Sequence, residues 1–322
     1  MIDNKYKYEL KGKRIFIAGH KGLLGSSISS RLQHEDVELV TASRQDLDLT
    51  RQKDVEEWMK THKPHVVINA AGKVGGIHSN SHFPADFIYQ NMVIELNLIN
   101  ASYLSGIEKL IILGSSCTYP KMADQPIKES SLMTGKPEIT NQWNSVAKLA
   151  GIKLCEAYRQ QYGVDYISIL PTNLFGPNDN FDPLNSHVIP GMIRRFEQAK
   201  RLNKDEEVIW GTGKPTREFM YVDEASDGIV FLLKNYSQSE IINLGTGKEI
   251  SIEKLAQLVA KTVGFKGQIK FDRTKPDGAP RKLLDVSKLN ILGWHSKLSF
   301  ETGLKTTYDW YLKTLYQEKL NA

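Results

Sequence analysis

The feature that most restricts the fold is Gly19-His20-Lys21-Gly22-Leu23-Leu24-Gly25, which follows the apolar run Arg14-Ile15-Phe16-Ile17-Ala18. Its spacing is G-x-x-G-x-x-G. Glycines at these places permit a tight turn and let the backbone approach a pyrophosphate. A helix opening there presents free N–H groups and a favourable dipole. A glycine triplet in isolation is equally a surface turn. Here a strand precedes it and a second strand ends about twenty residues later, the arrangement of a dinucleotide-binding βαβ unit.

The rest of the first half repeats that rhythm. Val37-Glu38-Leu39-Val40-Thr41, His65-Val66-Val67-Ile68-Asn69, Lys109-Leu110-Ile111-Ile112-Leu113 and Asp165-Tyr166-Ile167-Ser168-Ile169-Leu170 read as strands covered on both faces. Helical patterns separate them over Asp54–Thr61, Pro84–Leu104 and Ser145–Gln161. In the last, Leu149, Ile152, Cys155 and Tyr158 recur at helical spacing. The expected fold class is α/β, a doubly wound parallel sheet of Rossmann type with a smaller C-terminal substrate lobe. After Pro171 the periodicity fades. Asn173–Pro190 reads as a long functional loop, and Gly211–Glu218 as an irregular stretch before Phe219-Met220-Tyr221-Val222. Ile241-Ile242-Asn243-Leu244 reads as a return to the first sheet. Glu249–Gly264 reads as an amphipathic helix capped by Ser251. Residues 1–173 with 219–248 then form the dinucleotide-binding domain, and 174–218 with 249–322 the substrate domain.

The 322 residues carry a formal net charge of +5, too mild to point to nucleic acid. No apolar run reaches the ~18–20 residues of a membrane span, so no membrane partner is expected. Two cysteines, Cys117 and Cys155, do not make a secreted disulfide framework. The polar start has no apolar signal core, and a cytoplasmic location is expected. A core of this size needs no metal staple, and no metal site is expected.

The second strand ends at Ser43-Arg44. An acidic residue there would hold an adenosine 2′-hydroxyl, whereas a basic one suits a 2′-phosphate, so Arg44 favours NADP(H) over NAD. Asp48 and Leu49 either border the adenine, or Asp48 or Thr50 caps the next helix. The fourth strand ends in Gly114-Ser115-Ser116-Cys117-Thr118-Tyr119-Pro120, at the edge where such sheets bind ligands. Those serines and the thiol can donate hydrogen bonds and move protons; as a packing feature they are a capping pair and a core cysteine. Farther on, Lys148 stands one turn into a helix, where burial would require a partner such as the cofactor ribose.

Taken with Asn69-Ala70-Ala71-Gly72-Lys73-Val74-Gly75-Gly76-Ile77, Pro84–Asn91, Pro171-Thr172-Asn173-Leu174, Asn185–Pro190, Arg217-Glu218-Phe219 and Lys275–Asp285, these segments resemble the GDP-L-fucose synthase family of extended short-chain dehydrogenase/reductases over nearly the whole chain. The resemblance implies epimerisation at C3 and C5 of a GDP-linked 4-keto-6-deoxy sugar, then reduction at C4 by NADPH, in a homodimer. A heptose or another deoxyhexose fits the same pattern. It implies that Ser115 hydrogen-bonds the C4 oxygen, that Cys117 and His187 exchange protons beside the ketone, and that Lys148 holds the nicotinamide ribose. The cofactor would be bounded by Gly19, Lys21, Gly22, Leu23, Leu24, Gly25, Arg44, Asp48, Leu49, Asn69, Ala70, Ala71, Leu113, Gly114, Ser115, Pro171, Asn173, Leu174 and His187. Ser116, Asn173, Arg195, Trp210, Arg217, Asp277 and Lys282 would hold the GDP-sugar.

One position departs from the pattern. The superfamily carries Tyr-x-x-x-Lys, and here Asn144 stands where the tyrosine belongs. An amide donates a hydrogen bond but yields no proton near neutral pH, and loss of a general acid costs roughly 10²–10⁴ in rate. Two origins are compatible with this: a deliberate replacement, or divergence toward a weak reductase, an epimerase without reduction, or a non-catalytic NADP(H)-binding protein.

Overall fold

The computed structural model describes residues 6–320 except Pro276. Its strands are β1 (Lys13–Ala18), β2 (Val37–Val40), β3 (Val66–Asn69), β4 (Lys109–Leu113), β5 (Asp165–Pro171), β6 (Asn173–Phe175), β7 (Glu206–Trp210), β8 (Thr216–Tyr221), β9 (Ile242–Leu244), β10 (Glu249–Ser251), β11 (Gln268–Asp272) and β12 (Arg281–Lys282). Its helices are α1 (Leu23–Leu32), α2 (Gln52–His62), α3 (Ile77–His82), α4 (Pro84–Leu104), α5 (Gln142–Tyr162), α6 (Val188–Arg201), α7 (Val222–Asn235), α8 (Ile252–Val263), α9 (Ser287–Ile291) and α10 (Phe300–Leu320).

The large sheet runs β2-β1-β3-β4-β5-β9, and every neighbouring pair is parallel. Strand residues alternate between two cores, as the pleat requires. Ile15 and Ile17 of β1 pack with Ile28 and Leu32 of α1 and Ile229 and Leu233 of α7. Phe16 and Ala18 pack on the other face with Val55 and Met59 of α2, Leu98 and Ile99 of α4, and Cys155 of α5. This is the doubly wound sheet expected from the continuous apolar runs. A third core lies outside it, where Met192, Ile193 and Phe196 of α6 meet Leu255, Ala256 and Val259 of α8, Phe219 and Tyr221 of β8, and Leu304, Tyr308 and Tyr311 of α10. Among the described residues, no helix is long and apolar enough to cross a membrane.

Several segments differ from the sequence expectation. The first residues of Gly211–Glu218 are irregular, but Thr216-Arg217-Glu218 already belong to β8, paired with β10 on one side and β12 on the other. Asn173–Phe175 are strand β6, paired with β8, so the long loop shortens to 176–187. Strands of two or three residues are too short to display alternation. Glu249–Ser251 form β10 rather than the first turn of a helix; α8 begins after them, and the Ser251 hydroxyl accepts from the Lys254 N–H at 3.1 Å. α5 starts at Gln142, which places Asn144 inside the first turn rather than at its edge.

Candidate active site

The glycine turn lies where strand order reverses, between β1 and β3, the place such sheets bind ligands. Gly19 has φ +81°, and a Cβ on it would stand 2.8 Å from the Ala70 carbonyl oxygen, so the end of β3 closes directly over the turn. A Cβ on Gly25 would collide with the Gly19 carbonyl. Gly22 caps α1 in extended conformation with no side-chain bond, leaving the N–H groups of Leu23, Leu24 and Gly25 without an intrahelical partner. A cradle closed to side chains and lined with free N–H groups fits a dinucleotide pyrophosphate. Exposed Lys21 and Arg44 flank it, and Arg44 hydrogen-bonds no other described residue. The capping expectation for Asp48 is overturned: its Oδ1 accepts the Thr50 N–H at 3.0 Å and hydroxyl at 2.8 Å, a local turn, and the N-cap of α2 is Arg51. Those two bonds, with Arg44 nearby, hold the Asp48 carboxyl below its usual value.

Buried Lys148 has a partner within the protein that sequence reasoning did not name. Its Nζ lies 2.6 Å from Glu95 Oε1, with the two side chains 11% and 1% exposed. Glu95 Oε2 accepts from Asn69 Nδ2 at 2.9 Å, and Asn69 Oδ1 accepts from the Ala71 N–H. Asn69 is therefore wholly buried with its side chain committed to the scaffold, while half-buried Ala70 and Ala71 lie beside it. Leu113, Gly114 and Pro171 are likewise buried strand ends, and Leu49 and Leu174 are half-buried. An acid inside the apolar run Met92-Val93-Ile94-Glu95-Leu96 was the available sign that α4 supplies this counter-ion.

Asn144, one turn before Lys148, is oriented from α4. Asn91 Oδ1 accepts the Lys73 N–H at 2.6 Å, so Asn91 Nδ2 must point the other way, to the Lys73 carbonyl and to Asn144 Oδ1, each at 3.0 Å. A backbone N–H can only donate, and this chain of partners assigns both amides. Asn144 spends its oxygen on Asn91 and keeps its NH₂ free to donate. Neither nearby phenol replaces it: Tyr119 is buried and donates to Asn243 Oδ1 at 2.6 Å, and Tyr158 donates to Asn100 Oδ1 at 2.9 Å.

The end of β4 carries Ser115 and then a short 3₁₀ turn, Ser116–Thr118, with Ser116 buried. Ser115 Oγ accepts the Cys117 N–H at 3.2 Å, and the Ser145 hydroxyl of α5 donates to the Cys117 carbonyl at 2.8 Å. Lys282 Nζ on β12 donates to Cys117 Sγ at 3.4 Å. Burial pushes the Cys117 thiol up, but Lys282, Ser115 and His187 outweigh it, and the thiol sits below its ordinary value. His187 is exposed at the head of α6, its Nδ1 3.9 Å from the buried carboxylate of Asp179. Protein packed against one side of the half-exposed ring pulls the imidazole down, yet Asp179 and then Cys117 raise it above its usual value. The pair is thus biased toward thiolate and imidazolium. The head of α6 is held to the cofactor lobe: the Gly76 N–H donates to the Asn185 carbonyl at 3.0 Å and the Ser79 hydroxyl to Asn185 Oδ1.

The other expected substrate residues spread outward. Arg217 on β8 is the cross-strand neighbour of Lys282, and its guanidinium feels both Cys117 and Asp277. Asp277 binds the Thr212 N–H at 2.6 Å and hydroxyl at 2.7 Å. Trp210 is 65% exposed with Lys275 over its ring. Arg195 is more remote, paired with Glu207 at 3.1 Å. Asn173 Nδ2 donates to the Glu218 carbonyl at 2.8 Å. Glu218 itself, also missed from sequence, is fully buried. Its Oε1 accepts the N–H groups of Thr246 and Gly247 at 2.5 and 2.8 Å, and its Oε2 accepts that of Leu284 at 2.9 Å.

Residues 15–245 match the NAD dependent epimerase/dehydratase family. A GDP-L-fucose synthase of Sinorhizobium fredii is 54% identical over 308 residues, 96% of this chain and 98% of that one. The chain belongs to the GDP-L-fucose synthase family. Solved structures similar to this GDP-L-fucose synthase relative include a GDP-6-OMe-4-keto-L-xylo-heptose reductase from C. jejuni, with 33% identity, TM-score 0.87 and coverage of 94% of this chain and 98% of the other. A GDP-L-fucose synthetase from Naegleria fowleri bound to NADP has 28% identity, TM-score 0.90 and coverage of 97% and 98%. The family carries both fucose and heptose chemistry on one fold, so membership alone leaves the sugar to the pocket.

Proposed function

We propose that this chain binds NADP(H) and a GDP-linked 4-keto-6-deoxy sugar, a hexose or a related heptose, exchanges protons beside the ketone, and reduces C4 slowly for want of a phenol. The observation that carries this reading is a thiol hydrogen-bonded by Lys282 and an imidazole facing the buried Asp179 carboxylate, both at the C-terminal edge of a sheet with a dinucleotide cradle. C3 and C5 flank the C4 carbonyl, so their protons become acidic once its oxygen is stabilised. Cys117 as thiolate takes the proton, the C–H electrons move onto the C4 oxygen, and the Ser115 hydroxyl and Asn144 amide donate to that oxygen. His187 as imidazolium returns a proton, and inversion follows when the return is to the opposite face. Bound NADPH supplies hydride to C4. The oxygen then needs a proton, and a neutral amide oriented by Asn91 offers only a hydrogen bond. That oriented amide favours a second reading, C3/C5 epimerisation with little net reduction.

Residues 1–173 with 219–248 carry the cofactor in this reading, and 174–218 with 249–322 the sugar nucleotide, through Arg217, Lys282, Asp277, Ser116, Asn173, Arg195 and Trp210. Exposed apolar side chains on α4 (Tyr89, Leu96, Leu104) and α5 (Trp143, Val146) support a homodimer built on these helices. Two free thiols suit a reducing cytoplasm.

Cys117→Ser tests the mechanism. Solvent deuterium uptake at the carbons beside the ketone, followed by NMR, slows by about 10²-fold or more because a serine hydroxyl is far less ionised than this thiol. Unchanged uptake removes Cys117 from the chemistry. Arg44→Ala tests the cofactor. A charge-assisted pair to the 2′-phosphate is lost, so NADPH weakens by roughly tenfold or more while NADH binding stays nearly constant. Equal losses for the two in a fluorescence titration overturn the assignment.

A further inference from the structure

Lys282 lies 165 positions from Cys117 in sequence, yet the fold brings its ammonium to the sulfur. The approach is held by the backbone on both sides. Arg281 grips Glu249 through Nε and Nη2, the latter at 2.6 Å. The Leu283 N–H donates to Gln125 Oε1 at 2.8 Å, and the Leu284 N–H to buried Glu218 Oε2 at 2.9 Å. Lys282 itself pairs in register with Arg217 on β8. A cation on so constrained a strand is usually met by a carboxylate. Among the described residues, the only hydrogen-bond partner of the Lys282 ammonium is Cys117 Sγ, and it forms no ion pair with a carboxylate.

We propose that Lys282 is a positioning residue that holds Cys117 as a thiolate before any sugar arrives, a proposal that rests on reading Cys117 as the proton-exchange base. The groups around Cys117 come from five elements. Lys282 is on β12, Arg217 on β8 and His187 at the head of α6, and Ser115 ends β4; α5 contributes the Ser145 hydroxyl, which is bound to the Cys117 carbonyl. The carboxylates Glu138 and Asp277 face Arg217. The Lys148 charge is taken by Glu95. Arg217 Nη1 donates to its neighbour's carbonyl, Thr216, at 2.8 Å, which leaves the direct contact to Lys282. An ammonium hydrogen-bonded to sulfur stabilises the charged form against the desolvation that burial imposes. The direction of the thiol's shift agrees with that geometry.

The test is the pH profile of iodoacetamide alkylation of the full chain without substrate, read by mass spectrometry at the Cys117 peptide. Cys155 is 1% exposed and its thiol is pushed well up by burial, and Cys117→Ser supplies the background. The wild-type midpoint lies below the ~8.5 of a free thiol. Lys282→Met and Lys282→Gln raise it by about one unit or more, so that modification at neutral pH slows roughly tenfold, and Lys282→Arg keeps most of the shift. If the folded Met and Gln variants, checked by circular dichroism, titrate with the wild type, the proposal is overturned. If the shift appears but Cys117→Ser leaves deuterium uptake unchanged, the role of Lys282 stands and the catalytic reading of Cys117 falls.

Discussion

Asn144→Tyr raises the rate of ketone reduction by about 10²–10⁴ with little change in NADPH affinity. The surroundings already suit a phenol. Position 144 faces the same side of α5 as Lys148, one turn away. The Asn91 amide that now holds Asn144 also donates to the Lys73 carbonyl, so losing one partner leaves it satisfied. A phenol there lies near an ammonium, and a nearby positive charge favours phenolate and eases proton transfer to the developing alkoxide. Glu95 offsets part of that charge, which argues for the lower half of the range. Proton exchange at C3 and C5 changes far less, because in the proposed reaction Cys117 and His187 stay in place and a phenol at 144 still donates a hydrogen bond to the C4 oxygen, as the amide does. Stopped-flow oxidation of NADPH with a GDP-4-keto-6-deoxy sugar reads the gain directly. A wild-type chain that already turns over as fast as its tyrosine variant would mean that another group protonates the oxygen.

The second large effect is on stability. Glu95→Leu leaves the Lys148 ammonium buried without its counter-ion and Asn69 without its acceptor, at a cost of about 3–5 kcal/mol. The double variant Glu95→Leu/Lys148→Met removes both charges and recovers most of that loss, because two apolar side chains of similar size carry no desolvation penalty. Urea unfolding of the four proteins of the cycle gives the coupling between the sites. If the single leucine variant unfolds within about 1 kcal/mol of wild type, then water reaches Lys148 and the pair is not the anchor that its burial implies.

The large sheet was legible because its strands are covered on both faces, and four- to seven-residue apolar runs between glycine turns have few other uses. The cofactor turn was legible because glycine spacing is itself the structural requirement. The substrate lobe was harder. β6, β10 and β12 have two or three residues each and are defined by what they pair with, not by a pattern of their own. The residues expected at the site divide along the same line. Ser115, Cys117 and His187 lie at or just past element ends, and Lys148 in the second turn of α5, all places that sequence motifs mark. Glu95, Asn91 and Glu218 work by touching distant segments, and an acid inside an apolar run marks burial without naming the partner it will meet. Lys148 shows the difference: its burial was foreseen, but its partner comes from a helix 53 positions earlier in the chain.

Glu218 joins parts of the chain that sequence keeps far apart. One carboxylate holds β8, the turn after β9 and the segment just past β12, and Gly245 must be glycine because a Cβ there would strike that carboxylate. Three stretches that meet beside Arg217 and Lys282 are thereby tied together at the β9 edge of the large sheet. Losing this one side chain would therefore untie three segments far apart in sequence at once, and the loss would reach Arg217 and Lys282 while leaving the glycine turn after β1 untouched.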